Sequence, residues 1–364
     1  MLSYLIVGSG YRSEFFARIA QANPALFRAL FLCRSQEKAA AVTAHTGVPA
    51  TVSLEEALAF RPDFVVVAVD RGHIAAVTEE WALRGFPVVA ETPVGATLEQ
   101  LRRIWALQAE NGARIVCCEQ YHRYPVLANG LALVREGLIG RPVSAYLSLA
   151  HDYHGFSLLR RMLGTEGEDF TLRGVRQTTQ AAASDSRYGA ILDGSLAQEV
   201  RDTVHIAFAS GKTAVYDFSP LQYRSFLRAR HLTLRGERGE WCDRIITYAD
   251  ADNAPRRVFL MPELAPAYRV LDNQTLRDGR KTWTAELFLD TAQDEAAIAS
   301  ILLDMDAYLH GGPSPYPLEE ALDDAYFWLL LGEAVAHPWE PVPAQPMPWR
   351  KAGEHADICD RRGE

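Results

Sequence analysis

His151-Asp152-Tyr153-His154 places two imidazoles, a carboxylate and a phenol within four residues. An imidazole titrates near ~6.5, so this run can take and return a proton at neutral pH. His154 is the leading acid/base candidate, set against a histidine that is only hydrogen-bonded in a domain interface. Tyr153 and His151 come next. A phenol gives up its proton when a nearby cation lowers its pKa, and Asp152 can orient an imidazole. Thr92, in Glu91-Thr92-Pro93, is no base at neutral pH, but its hydroxyl can orient a substrate oxygen or relay a proton. Such groups suit oxidation of an alcohol, where a base takes the hydroxyl proton as hydride leaves, or the reverse reduction.

A second polar run, Glu119-Gln120-Tyr121-His122-Arg123, follows an apolar stretch. That is where open α/β sheets place ligands. Glu119 and Tyr121 can bind substrate hydroxyls or serve an interdomain polar network. Arg187, in a polar loop, can meet an acidic substrate, as can Tyr223, Arg224 and Arg228. Solvated charge or a subunit contact is the plainer reading of these four. The four lysines, Lys38, Lys212, Lys281 and Lys351, fall at a strand end, a hairpin tip, an Arg-Lys turn and the tail. None is placed to act beside His154.

Something must supply or accept hydride. Gly8-Ser9-Gly10-Tyr11-Arg12-Ser13 follows a short apolar run and opens a helix. The first glycine permits a tight turn and the second lets the backbone approach a pyrophosphate on the helix amides. Ser13 stands at the third position, small for small. After the second strand the chain reads Cys33-Arg34-Ser35-Gln36-Glu37-Lys38, with no carboxylate directly after the strand. Arg34, Ser35 and Lys38 favour the 2′-phosphate of NADP, with NAD possible. His73 follows a valine-rich strand and either approaches the cofactor or sits exposed in its loop.

The first ~120 residues alternate apolar runs with helical patterns, the signature of parallel β-α-β units. Strands are expected over 4–7, 30–33, 64–69, 87–90 and 115–118, with helices over 13–21, 37–45, 54–59, 77–84 and 98–111. Strands over 143–149, 204–209, 213–218, 231–234 and 244–248 then predict a mainly antiparallel sheet. Helices are expected over 131–136, 156–163, 291–309 and 318–336. The division is a Rossmann dinucleotide-binding domain at 1–122, a substrate and oligomerisation domain at 123–337, and a tail at 338–364 on the surface or around a neighbour.

The net charge of −9 argues against nucleic acid and anionic membranes. No run of ~20 apolar residues suggests a membrane span. The start lacks a basic n-region and a cleavage site, which points to a cytoplasmic protein. The cysteines, Cys33, Cys117, Cys118, Cys242 and Cys359, show no metal-binding or disulfide spacing.

Taken together, these motifs resemble the Gfo/Idh/MocA oxidoreductases. The likeness runs from the glycine turn through Val65 to Val69 with His73. It includes Arg84-Gly85-Phe86-Pro87-Val88-Val89-Ala90-Glu91-Thr92-Pro93, Arg123-Tyr124-Pro125 and Gly137-Leu138-Ile139-Gly140. The resemblance implies an α/β Rossmann domain followed by a domain on an open antiparallel sheet. It also implies hydride transfer between NAD(P) and a sugar, cyclitol or related carbonyl or imine, and a homodimer or homotetramer formed through that sheet. Glu91 and Pro93 would line the cofactor, with a cis bond before Pro93. The family's lysine is replaced by Thr92. His154 keeps the family spacing to Gly164, but the acids expected four before and three after it are Ala150 and Ser157. The leading reading is an NADP-dependent oxidoreductase using His154 or Tyr153. A non-catalytic dinucleotide-binding regulator is the alternative, and a lyase or glycosidase using NAD transiently is a third.

Overall fold

The computed structural model describes residues 1–186, 189–223, 225, 227–260 and 291–350. Arg187, Arg224, Lys281, Lys351 and Cys359 lie outside them.

The first sheet is built as β1 (Leu2–Val7), α1 (Tyr11–Ala22), β2 (Phe27–Leu32), α2 (Gln36–Thr46), β3 (Ala50–Thr51), α3 (Leu54–Ala59), β4 (Phe64–Val67), α4 (Ile74–Leu83), β5 (Val88–Ala90), α5 (Leu98–Asn111) and β6 (Ile115–Cys117). All its strands are parallel, in the order β3-β2-β1-β4-β5-β6. This is the dinucleotide-binding order, with its crevice at the carboxyl ends of β1 and β4. β4, β5 and β6 are buried on both faces, which explains their unbroken runs of Val, Ile and Ala. Cys117 and Cys118 are fully buried there as small hydrophobes. Serine and threonine cap the helices: Ser35, Ser53 and Thr97 each accept a backbone N–H from the first turn.

After a short 3-10 turn come α6 (Pro125–Arg135), β7 (Pro142–Ser148), α7 (Asp152–Leu163) and β8 (Phe170–Ala182). The short pair β9 (Asp185–Ser186) and β10 (Gly189–Ala190) precedes β11 (Leu196–Phe208), β12 (Thr213–Phe218), β13 (His231–Gly236), β14 (Gly239–Cys242), β15 (Ile245–Ala249) and β16 (Pro255–Phe259). Two long helices, Thr291–Leu309 and Leu318–Ala336, and β17 (Val342–Pro343) finish the described chain. The second sheet runs β16-β15-β14-β13-β7-β12-β11-β8-β17. It is mixed: β7 and β12 pair in parallel and the other pairings are antiparallel.

Four expectations need correction. β8 and β11 are thirteen-residue strands, where the sequence suggested one short strand over 204–209. Their outer halves are polar and exposed, so no apolar run marks them. α6 starts at Pro125, which takes the first helical turn where a missing N–H costs nothing. α7 starts at Asp152 and not at 156. Residues 339–350 fold back onto their own molecule: β17 pairs with β8, and Trp349 is buried, its indole N–H donating to Asp323 (2.8 Å). No helix among the described residues is long and apolar enough to cross a membrane.

α7 packs between β7 and the Leu318–Ala336 helix, with Phe156 stacked on Phe327 at 4.1 Å. The Thr291–Leu309 helix lies on α1. Arg12 donates to Asp294 (2.8 Å) and Arg18 to Glu295 (2.5 Å) across that contact. The glycine turn is thereby clamped from the second half of the chain.

Candidate active site

Gly8 directly follows β1 with φ +128°, a conformation open to glycine. A Cβ there would lie 2.1 Å from the Ala68 carbonyl oxygen. Gly10, by contrast, faces open space where a Cβ would meet nothing within 4 Å. It is the N-cap of α1 and provides no side-chain cap, so the first-turn amides at Tyr11 and Arg12 keep their room for an anion. Ser13 is fully buried and donates its hydroxyl to the Gly10 carbonyl (2.6 Å), which lets serine replace the third glycine. Ser9 sits in the turn and Tyr11 packs edge-on against Phe15. These features fit a dinucleotide's pyrophosphate.

Arg34 is exposed at the end of β2. Ser35 spends its hydroxyl accepting the Lys38 N–H (3.3 Å), and the Lys38 side chain is exposed. His73 is exposed as well, its imidazole held by Asp70 at 2.8 Å. The Arg12 guanidinium turns inward, to Glu91 (3.0 Å) and Asp294 (2.8 Å). Asp294 also accepts from Gln120 and Tyr124, both at 2.8 Å. Glu91 is buried; desolvation raises its carboxyl pKa, and Arg12 opposes that rise. The Thr92-Pro93 bond is cis.

Beyond Pro93 the two halves of the chain meet in a buried polar group. His154 Nδ1 makes a very short hydrogen bond to Glu119 Oε2. Its Nε2 faces Thr92 Oγ1 at 3.5 Å. Both members of the pair are buried, His154 at 5 % and Glu119 at 1 % exposure. Glu119 Oε1 accepts the Tyr121 N–H (3.1 Å). The Tyr121 hydroxyl meets that of Tyr223 (3.0 Å), which meets His151 Nδ1 (2.6 Å) and accepts the His151 N–H (3.1 Å). His151 Nε2 reaches the Tyr153 hydroxyl (3.2 Å), and that hydroxyl also meets the Thr92 side chain. Tyr121, Tyr223, His151, Tyr153, Thr92, His154 and Glu119 thus form one circuit.

Local backbone sets this arrangement. β7 delivers the chain to α7, and His151 is the N-cap in extended geometry. Asp152 follows at φ +44°, unusual for a residue with a side chain, and its N–H donates to the Tyr216 hydroxyl (2.7 Å). Ala150, just before the cap, is fully buried, and Ser157 shares a hydrogen bond with the Tyr316 hydroxyl (2.7 Å).

Burial governs the charges. Desolvation pushes the Glu119 carboxyl up to about 8, against the Tyr121 N–H that lowers it. It pushes the His154 imidazole down to about 3, helped by the charge of Arg12. The pair is therefore neutral at pH 7, with one proton between Oε2 and Nδ1 and one on Nε2. It titrates as a unit. Loss of a proton near pH 8 leaves Glu119 as carboxylate, Nδ1 as donor and Nε2 with a free lone pair. Desolvation raises the Tyr153 phenol, with Arg71 opposing, and lowers the His151 imidazole well below its usual range. The same burial raises Asp152 to about 6. Neither Tyr153 nor His151 matches the pair as a proton carrier near neutrality.

The lysines do not enter this group among the described residues. Lys212 caps the carboxyl end of α7, donating to the Leu163 carbonyl (2.7 Å). Two participants carried no chemical signal in the sequence: Asp294, the acceptor that gathers Arg12, Gln120 and Tyr124, and Arg71, whose guanidinium lies 4.9 Å from the Trp328 ring and 5.9 Å from the Tyr153 ring.

Residues 2–118 match the model of an oxidoreductase family with an NAD-binding Rossmann fold, GFO_IDH_MocA. Over those residues the chain is similar to the NAD-binding part of the Gfo/Idh/MocA oxidoreductases. Solved oxidoreductase structures share the fold along most of the chain. An NAD-binding oxidoreductase from Klebsiella pneumoniae superposes with a TM-score of 0.71 at 14 % identity, covering 95 % of this chain and 100 % of that one. Levoglucosan dehydrogenase in complex with NADH gives 0.70 at 16 %, covering 95 % and 100 %. An Agrobacterium radiobacter oxidoreductase solved with NAD+, L-tartaric acid and magnesium gives 0.69 at 14 %, covering 94 % and 98 %. At such identities the likeness is one of fold. No curated protein sequence matches the chain.

Proposed function

We propose that this protein is an NADP(H)-preferring oxidoreductase that moves hydride to or from a sugar, cyclitol or related carbonyl or imine compound, with His154 as the acid/base. The His154–Glu119 pair carries the reading. It is buried, holds a transferable proton at Nε2, and opens that nitrogen toward Thr92 at the mouth of the Rossmann crevice. A nicotinamide cofactor held by the turn after β1 would supply the hydride acceptor or donor. The chain's own part is the proton. In reduction, Nε2–H gives its proton to the nascent alkoxide oxygen while Glu119 hands its own to Nδ1. In oxidation, Nε2 takes the hydroxyl proton after the pair has titrated near pH 8. Thr92 stands where the family has lysine, and its hydroxyl orients the reacting oxygen. Tyr153, His151 and Tyr121 bind neighbouring hydroxyls of the substrate.

The cofactor preference rests on exposed Arg34 and Lys38 and on the absence of a carboxylate directly after β2. The neighbours named above bear on it too, since two were solved with NAD+ or NADH. The open face of the second sheet, lined by Tyr146, Arg173, His205, Thr233 and Arg235 around a cavity of about 620 Å³, is the proposed contact for a homodimer or homotetramer.

The test is a fluorescence titration of cofactor-stripped protein with NADPH and NADH, followed by turnover assays. These would use myo-inositol, levoglucosan, L-tartrate and open-chain sugars and polyols. Tighter NADPH binding with turnover of at least one compound supports the proposal. Equal affinities remove the NADP preference. Cofactor binding with no turnover anywhere favours the non-catalytic dinucleotide-binding regulator.

A further inference from the structure

Arg230 is 4 % exposed, yet its Nε and Nη1 have no hydrogen-bond partner among the described residues, and no carboxylate there pairs with it. Other arginines beyond the first sheet hold acids. Arg160 is bonded to Asp324 (2.5 Å), Arg350 to Asp323 (2.7 Å) and Arg228 to Glu199 (2.7 Å). A guanidinium does not shed its charge in a protein, so a buried one needs an anion or a full set of acceptors. The contact it does have is with the Tyr223 ring, 4.7 Å from its Cζ. That contact covers one face of the cation and leaves the in-plane Nε–H and Nη1–H donors unanswered.

Its place in the fold aims this cation at the site. Arg230 immediately precedes β13, whose first residue, His231, pairs with Ser148 at the carboxyl end of β7. β7 leads directly into His151 and His154. The ring under the guanidinium belongs to Tyr223, whose hydroxyl bonds His151 (2.6 Å) and Tyr121 (3.0 Å). The Tyr121 ring in turn lies 4.5 Å from that of His154. The segment is pinned, since Gln222 donates to the Ala229 carbonyl (2.7 Å) and to Ser148 Oγ (3.0 Å). Desolvation lowers the Arg230 pKa below the usual arginine value, with Tyr121 and Tyr223 opposing, as expected for a cation with no anion beside it.

We propose that Arg230 binds the carboxylate of an acidic substrate, a sugar acid of the aldonate or uronate class, and thereby sets its carbinol or carbonyl carbon at His154. The assignment of the reacting end rests on the hydride-transfer reading; the anion site does not. The planar fork of arginine matches a carboxylate in two parallel hydrogen bonds, which a neutral sugar cannot supply.

Calorimetric binding of D-gluconate, D-glucuronate, D-glucose and D-glucose 6-phosphate to the full chain tests this, with NADPH present and absent. One of the two acids should bind about 30-fold or more tighter than glucose, and Arg230→Gln should remove that difference while leaving glucose binding within about two-fold. Arg230→Lys, which keeps the charge but loses the fork, should fall between. Equal binding of acids and glucose by the wild-type protein overturns the proposal without any variant. So does an acid preference that survives in Arg230→Gln. The phosphate ester binding tighter than both acids would replace the carboxylate with a phosphoryl group and overturn the stated class. Binding needs no turnover. Arg230-dependent acid binding in a protein that never transfers hydride would sink the oxidoreductase reading and leave the anion site standing.

Discussion

Replacing Glu119 by Gln separates the proton held by the His154–Glu119 pair from the shape of the pair. Glutamine keeps the volume, and its carbonyl oxygen can still accept the Tyr121 N–H, as Oε1 does now at 3.1 Å. Its amide donates to His154 Nδ1, so Nε2 never becomes a base near pH 8. The effect on stability follows from linkage. Glu119 is raised from 4.5 to about 8, so over that range the folded protein holds a proton the unfolded chain has lost. His154 is lowered from 6.5 to about 3, so between those values the unfolded chain holds a proton the folded protein lacks. From pH 4.5 to 6.5 the two terms cancel. From 6.5 to about 8 only Glu119 contributes, and stability falls as pH rises. One proton over that window is worth about 2 kcal/mol. Glu295 titrates alike in both proteins and drops out of the difference, whereas Asp324, raised first by burial and in part by the Glu119 charge, comes down in the variant and adds to the gain in the same direction. Urea denaturation at several pH values between 6.5 and 8 measures it. The Gln variant should gain about 2 kcal/mol on the wild type across that window. Parallel stability curves would mean that Glu119 titrates as an ordinary carboxylate and that the pair holds no proton at pH 7.

Gly8→Ala forces a Cβ onto the Ala68 carbonyl oxygen at a positive φ; cofactor binding measured by fluorescence should be lost, with a fall in melting temperature. Tyr223→Phe strips the hydroxyl from His151 and Tyr121 and leaves the His151 N–H without its acceptor, so denaturation should show a loss of about 1–3 kcal/mol. Asp294→Ala frees Arg12, Gln120 and Tyr124 at once; a stability loss of about 2–4 kcal/mol and weaker cofactor binding are expected from the same two assays. In steady-state pH profiles of the wild-type protein, the proposed oxidation should rise with pH through about 8 and reduction should fall through it, because the pair would act as an acid below that pH and a base above it.

The first sheet was legible because its physics is local. Strands buried on both faces must be apolar throughout, and Phe64 to Val67 advertises that directly. The helices 54–59, 98–111, 291–309 and 318–336 were readable to the residue, two of them through Ser53 and Thr97 caps. The outer strands of the second sheet were not legible, since Arg173 to Gln180 alternate weakly and stand half in solvent. The start of α7 was hidden because Asp152 enters it through a positive φ that no residue pattern announces. Of the candidate site, His154, Tyr153, His151, Tyr121, Thr92 and Glu119 were each singled out by type and position, and the structure brings all six together. Their pairing was out of reach: Glu119 and His154 are 35 positions apart and meet only once β6 and β7 are docked. Asp294 and Arg230 were invisible for a different reason. Each is one charge among many, and only burial reveals which of them has gathered three donors and which meets no carboxylate among the described residues.

His154 is the proposed proton carrier for hydride transfer. The direct measurement is single-turnover absorbance change of bound nicotinamide in wild type and His154→Gln, using the compound on which the wild type is most active, with cofactor affinity measured in parallel. Loss of a general acid/base predicts a hydride-transfer rate lower by about 10²–10⁴-fold with cofactor affinity unchanged. A rate within a few-fold of wild type would show that the proton moves by another route, and the role assigned to the His154–Glu119 pair would be wrong.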